Sequence, residues 1–271
     1  MSQPNHHTSS YSYSYYRRSS TISDKKPAAK RRRRIPILSI IVVASFIFMS
    51  IHANHNATKV QAESPKAITY SKSQTVCLDP GHGGQDPGAL SNDGSISERD
   101  INLTVALDVQ ATLERDGYRV YMTRTTNEPT MNNNDRYTYC NNQHATIMVS
   151  IHHNDFSDDS VDYGTALFYK DSDQALATSV LNATSAKLGI TNDGIAQFND
   201  GVLSKSTMPA TVSEGFFITS AAEFSQLTSP HSSRLHIEAE GIVAGIENYF
   251  ANPKASQSVV NPNPRVLERN D

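Results

Sequence analysis

Residues 75–89, TVCLDPGHGGQDPGA, set a short apolar run against a loop that holds four glycines, two prolines and one imidazole, His82. Thr75–Leu78 has the length and composition of a buried strand, and Asp-Pro-Gly ends it. Farther on, Ser97 with Asp100 three residues later forms a capping pattern, so a helix is expected from about Glu98. Ile101, Val105, Val109 and Leu113 then recur every four residues until Asp116-Gly117 stops the helix. A strand, a glycine-rich turn and a helix in succession open an α/β domain.

The alternation continues down the chain. YRVYM (118–122) reads as a second strand, 133–143 as a weaker helix and ATIMVSI (145–151) as a third, continuously apolar strand. GTALFY (164–169) is a fourth strand, 173–188 another helix, PATVSEGFFI (209–218) a last strand and 230–250 a closing helix. The expectation for residues 73–250 is therefore a single α/β domain, with a mainly parallel twisted sheet flanked by helices. Residues 251–271 contain prolines and no amphipathic period, and read as a C-terminal tail.

What precedes this body differs from it in charge. Residues 1–34 hold nine Lys/Arg against one Asp, a net of +8, so the other 237 residues carry −11 within the overall −3. The Ser-, Tyr- and Arg-rich composition of 1–34 suits a disordered basic tail. Directly after KRRRR (30–34) comes IPILSIIVVASFIFMSI (35–51), 17 residues without a charge. That length lies at the short end for a membrane-spanning helix. Basic residues on its N-terminal flank would keep the tail in the cytoplasm and place the body outside. The expected arrangement is one transmembrane helix at 35–51, a polar linker at 52–72 and an exported domain. A cleaved signal ending near Val60-Gln61-Ala62 is the alternative, opposed by the long basic segment before it.

An acidic body lacks the electrostatic footprint of a nucleic-acid binder. Its two cysteines, Cys77 and Cys140, are too few for a zinc knuckle. Outside the cytoplasm they suit either a disulfide or two buried thiols.

Three polar groups occupy comparable places on the expected sheet. His82 follows the first strand, His152 ends the third, and Glu214 lies in the last strand among apolar neighbours. Sites in parallel sheets collect beyond the carboxyl ends of strands, which puts both histidines on one edge. Two imidazoles and a carboxylate suit zinc, and Glu98 at the start of the first helix is placed to complete the set. The same position also suits a carboxylate that interacts with the helix dipole. His152 and His153 compete as ligands, but strand neighbours face opposite sides, so one of them alone can aim at a metal. Glu214 reads either as a general base whose pKa is raised by apolar surroundings or as a buried, hydrogen-bonded structural residue.

The strings DPGHGGQDPGA (79–89), SERDINL (97–103), SIHHN (150–154) and MPATVSEGFF (208–217) together resemble the zinc-dependent N-acetylmuramoyl-L-alanine amidases of the type 3 catalytic family. The likeness runs in order from about Thr75 to Phe250. It implies cleavage of the amide between the lactyl group of muramic acid and L-alanine of the peptidoglycan stem peptide. It also implies one zinc ion on His82, Glu98 and His152, with Glu214 as the catalytic base. His153, Asn154 and Lys205 are the residues expected to contact substrate, His153 with competition for zinc as its alternative and Lys205 as the cation nearest to Ser204. Against the family pattern, His153 replaces a small residue, Ser204 a frequent arginine, Thr146 a frequent aspartate and Ser213 a frequent apolar residue. A zinc peptidase or deacetylase acting on another wall component, or a non-catalytic wall-binding module, are the competing readings. The intact set of ligands and base argues against the last.

Overall fold

The computed structural model describes residues 71–252 and the backbone of Arg265–Leu267. The readings of 1–34 and 35–51, and all but the end of the 52–72 linker, concern residues outside that range. Among the described residues no helix is long and apolar enough to cross a membrane.

The opening unit forms as its sequence directs. Strand β1 (Thr75–Pro80) leads through the glycine loop into helix α1 (Glu98–Arg115), and the Ser97 side chain accepts the Asp100 N–H at its start. Strand β2 (Arg119–Met122), helix α2 (Asn133–Asn142) and strand β3 (Ile147–Asn154) follow. Next come strand β4 (Gly164–Phe168), helix α3 (Gln174–Leu188) and strand β5 (Asn192–Phe198). Helix α4 (Gly201–Lys205), strand β6 (Ala210–Phe217), and helices α5 (Ala221–Leu227) and α6 (Arg234–Ala251) complete the domain. A short strand, β7 (Arg265–Leu267), joins from the C-terminal segment.

The strands order as β2-β1-β3-β6-β4-β5-β7. All neighbours are parallel except β4 and β6, so the sheet is mixed. The expectation of a mainly parallel sheet holds for every described pair but this one, whose direction has a reason of chain length. A parallel return needs a crossover of about a dozen residues or more, and the link from Asp155 to Tyr163 is shorter than that. Strand β4 therefore runs back against β6. The periodic pattern also missed β5, α4, α5 and β7. Strand β5 carries a glycine and three polar residues, and β7 is only three residues long.

Alternation along the strands sends side chains into two cores. Val76 and Leu78 of β1 and Ile147, Val149 and Ile151 of β3 pack with Val105, Val109 and Leu113 of α1 and with Ile242 and Ile246 of α6. Cys77 and Met148 point the other way, against Cys140, Val202 and Leu203 from the α2 and α4 side. Covered on both faces, the central strands read as continuous apolar runs. Cys77 and Cys140 form a disulfide inside the second core, with Cα atoms 5.8 Å apart. Of the two fates open to the cysteines, the bridge is the one realised.

Candidate active site

The glycine loop leaves β1 with its carbonyls held by two buried arginines. Arg124 donates to the carbonyls of Pro80 (2.9 Å) and Gly81 (2.7 Å). Arg136 donates to those of Pro80 (2.9 Å) and His82 (2.7 Å), and to the carboxylate of Asp79 (2.9 Å). Asp79 is fully buried in β1 and also accepts from Thr123 and Ser150. Burial alone would raise its pKa, but the Arg136 charge and these hydrogen bonds hold it below the ordinary value. Burial and the neighbouring Arg136 push Arg124 down to about 10, which leaves it charged near neutrality. Neither arginine was singled out in the sequence. The available signal was two cations beside apolar elements that had to find acceptors once buried.

The loop so fixed presents His82 in a left-handed backbone conformation, φ 61°. Such values are uncommon outside glycine. The ring turns Nε2 toward Glu98 Oε2, 2.9 Å away, while Nδ1 lies 2.8 Å from Asp86 Oδ2. Asp86, another residue the sequence reading passed over, thus fixes tautomer and orientation as a carboxylate behind a metal-binding histidine does.

Glu98 begins α1, where the helix start brings its carboxylate back over the loop. Its Oε2 accepts the Ala89 N–H at 2.9 Å, and its Oε1 faces His152 Nδ1 at 2.9 Å. The His152 ring occupies the space where a Cβ on Gly81 would stand, so the chain needs glycine there. The rings of His82 and His152 meet edge to face with centroids 4.9 Å apart. One ligand atom from each of His82, Glu98 and His152 lies within 4.8 Å of the others. Two imidazoles and a carboxylate converging at that spacing fit a zinc ion by donor type and number.

The electrostatics agree. Burial would raise the Glu98 pKa, yet hydrogen bonds from His152 and His82 hold it far below the ordinary carboxylate range. Burial would lower both histidines, but Glu98 raises them. The pull that Glu98 exerts on their protons is the pull it would exert on a cation.

Glu214 stands beside this cluster. Strand β6 pairs with β3 so that Glu214 is the register partner of His152. The residue is half-buried and lines the same cleft of about 230 Å³ as His82 and His152. Burial pushes its carboxyl above the ordinary value, against an opposing pull from His152. A carboxyl raised in this way, next to three metal-type donors, is placed to exchange a proton with a group held in the cleft.

The residues expected at the substrate lie apart from one another. Asn154 ends β3 and lines an adjoining cavity with Tyr163, Phe198 and Glu214. Lys205 ends α4, exposed, and its carbonyl accepts from Asn141. His153 does not face the cleft. Its side chain is buried and hydrogen-bonded on the opposite side of β3, which corrects the expectation that it touches substrate. Strand alternation, which separated it from His152, also turned it inward.

Two histidines and a carboxylate that could hold a metal, with a second carboxylate beside them at the carboxyl edge of parallel strands, make an arrangement suited to a hydrolase. Residues 76–248 match the family model described as N-acetylmuramoyl-L-alanine amidase, and the chain belongs to that family. It is similar to the probable cell wall amidase LytH of Staphylococcus aureus, 32% identical over 203 residues, which cover 73% of this chain and 65% of that protein. The chain thus spans just under two thirds of the staphylococcal relatives it matches. Among solved structures it resembles the N-acetylmuramoyl-L-alanine amidase AmiC2 of Nostoc punctiforme, with a TM-score of 0.62 and 32% identity over 67% of this chain and 99% of that one. The catalytic domain of the amidase CwlV from Bacillus (Paenibacillus) polymyxa var. colistinus gives a TM-score of 0.62 at 27% identity, covering 66% and 98%.

Proposed function

We propose that this chain hydrolyses the amide between N-acetylmuramic acid and L-alanine of the stem peptide in peptidoglycan. The observation that carries the reading is the convergence of His82, Glu98 and His152 with Glu214 alongside in register. His82, Glu98 and His152 hold zinc in this reading. The chemistry that a bound zinc supplies is acidification of water and polarisation of a carbonyl. Glu214 takes a proton from the attacking water and returns it to the leaving amine of L-alanine. Asp86 keeps His82 in the tautomer that offers Nε2 to the site, and Arg124 and Arg136 hold the loop that carries it.

The domain works outside the cytoplasm, tethered by residues 35–51 through the linker 52–72. Charge asymmetry across the apolar segment supports this, and so does the disulfide, which persists in oxidising surroundings. Peptidoglycan digested with the purified full-length chain should yield stem peptides with free L-alanine amino termini by mass spectrometry, and chelation should abolish their release. New reducing sugar ends in place of those peptides would sink the proposal. For the tether, the intact N-terminus should fractionate with membranes, whereas a mature N-terminus near residue 63 would show a cleaved signal instead.

A further inference from the structure

His153 and Glu238 form a buried pair that the reaction just described does not use. Glu238 comes from α6 and His153 from β3, and both side chains are 0% exposed. His153 Nε2 donates to Glu238 Oε2 at 2.9 Å, and His153 Nδ1 lies 2.7 Å from Asn102 Oδ1. The Asn102 amide nitrogen is committed elsewhere, to Glu98 Oε1 at 3.3 Å and the Gly81 carbonyl at 3.4 Å. Its oxygen is therefore left to accept, so His153 donates from both ring nitrogens and Glu238 supplies the matching charge. The same Glu98 oxygen accepts the backbone N–H of His153 at 3.2 Å.

These contacts make one unbroken line, Glu238 to His153 to Asn102 to Glu98, ending on the carboxylate that both His82 and His152 approach. Fold stability alone does not account for the line. A buried charged pair is often no better than apolar residues of the same volume. Among the described residues, Glu238 Oε1 is buried with no protein hydrogen-bond partner. That oxygen lies where a Cβ on Gly215 would stand, so the glycine after Glu214 is what admits the carboxylate. A strand glycine thus makes room for a carboxylate behind His153.

We infer that His153 and Glu238 are positioning residues, which through Asn102 set the Glu98 carboxylate for metal binding. The inference rests on the reading of His82, Glu98 and His152 as the zinc ligands. Outer partners of metal ligands typically change affinity by 10–100-fold when removed.

The test is zinc affinity of the full chain by competition with a chromogenic chelator, run beside thermal unfolding of the zinc-free protein. The double variant His153→Leu/Glu238→Leu removes the pair but fills its space. It should unfold at or above the wild-type temperature and bind zinc about 10–100-fold more weakly. Unchanged affinity would overturn the inference. If that variant fails to fold, Glu238→Gln keeps the shape and one acceptor oxygen while removing the charge. A several-fold loss of zinc affinity in it supports the inference, and wild-type affinity overturns it. Wild-type protein that binds no zinc would instead defeat the ligand assignment itself, so the two failures are distinguishable.

Discussion

His152 on β3 and Glu214 on β6 are register partners in a parallel pair. Residues facing each other across adjacent strands point to the same side of the sheet, so one hydrogen-bond register delivers the proposed ligand and the proposed base to one cleft. The loop after β1 and the first turn of α1 then need only bring His82 and Glu98 over that edge. A slip of one residue between β3 and β6 would send His152 and Glu214 to opposite faces.

That geometry lets the proposed roles of ligand and base be tested separately. Glu214→Gln should retain full zinc content and lose turnover by about 10²–10⁴-fold, the usual range for a general base. Metal analysis together with peptide release from peptidoglycan checks both halves. Full activity in the variant would remove Glu214 from the base role.

Much of this was legible because the signals are local. Ser97 and Asp100 announce where α1 begins, and hence that Glu98 sits in its first turn over the glycine loop. Strand alternation alone assigns His152 and His153 to opposite faces. What escaped the sequence lies in long-range partners. Arg124 and Arg136 reach loop carbonyls more than 40 residues away, and Glu238 meets His153 across 85 residues. No periodicity encodes such pairs. The direction of β4 was likewise hidden, since it follows from the length of the link before it rather than from its own residues.

The backbone at His82 yields a test that isolates ligand from loop. A φ of 61° costs an ordinary L-residue about 1–2 kcal/mol, and glycine is free of it. His82→Ala and His82→Gly should both lose zinc. In denaturant unfolding with chelator present, His82→Gly should nevertheless be the more stable of the two by about 1 kcal/mol. Equal stabilities would mean that the left-handed conformation is not what the folded loop imposes.

Asp79 gives a pH dependence whose sign is fixed. Its pKa is lower in the folded protein than the ordinary 3.8, so its contribution is complete above that value and is lost as pH falls through the folded pKa. Replacing it with alanine leaves Arg136 buried without its carboxylate, at a cost of about 3–5 kcal/mol. Urea unfolding should therefore show wild type well above Asp79→Ala from pH 5 to 7, with the gap narrowing below about pH 4. A gap that stays constant down to the acid limit would show that Asp79 acts through something other than its charge.

The disulfide and the Asp79–Arg136 pair fasten the same two elements. Cys77 and Asp79 are two apart on β1, and Cys140 and Arg136 are four apart on α2, so one strand repeat is matched to about one helical turn. Closing a link across 63 residues is worth about 4 kcal/mol in the chain-entropy description. The Cys77→Ala/Cys140→Ala variant should lose about 2–4 kcal/mol of unfolding free energy. Because each fastening aligns the helix for the other, Asp79→Ala added to that variant should depart from additivity by about 0.5 kcal/mol or more. The three unfolding curves, set against wild type, measure that coupling. Strict additivity would show that β1 and α2 are held in register by their apolar packing, with the two links acting independently of each other.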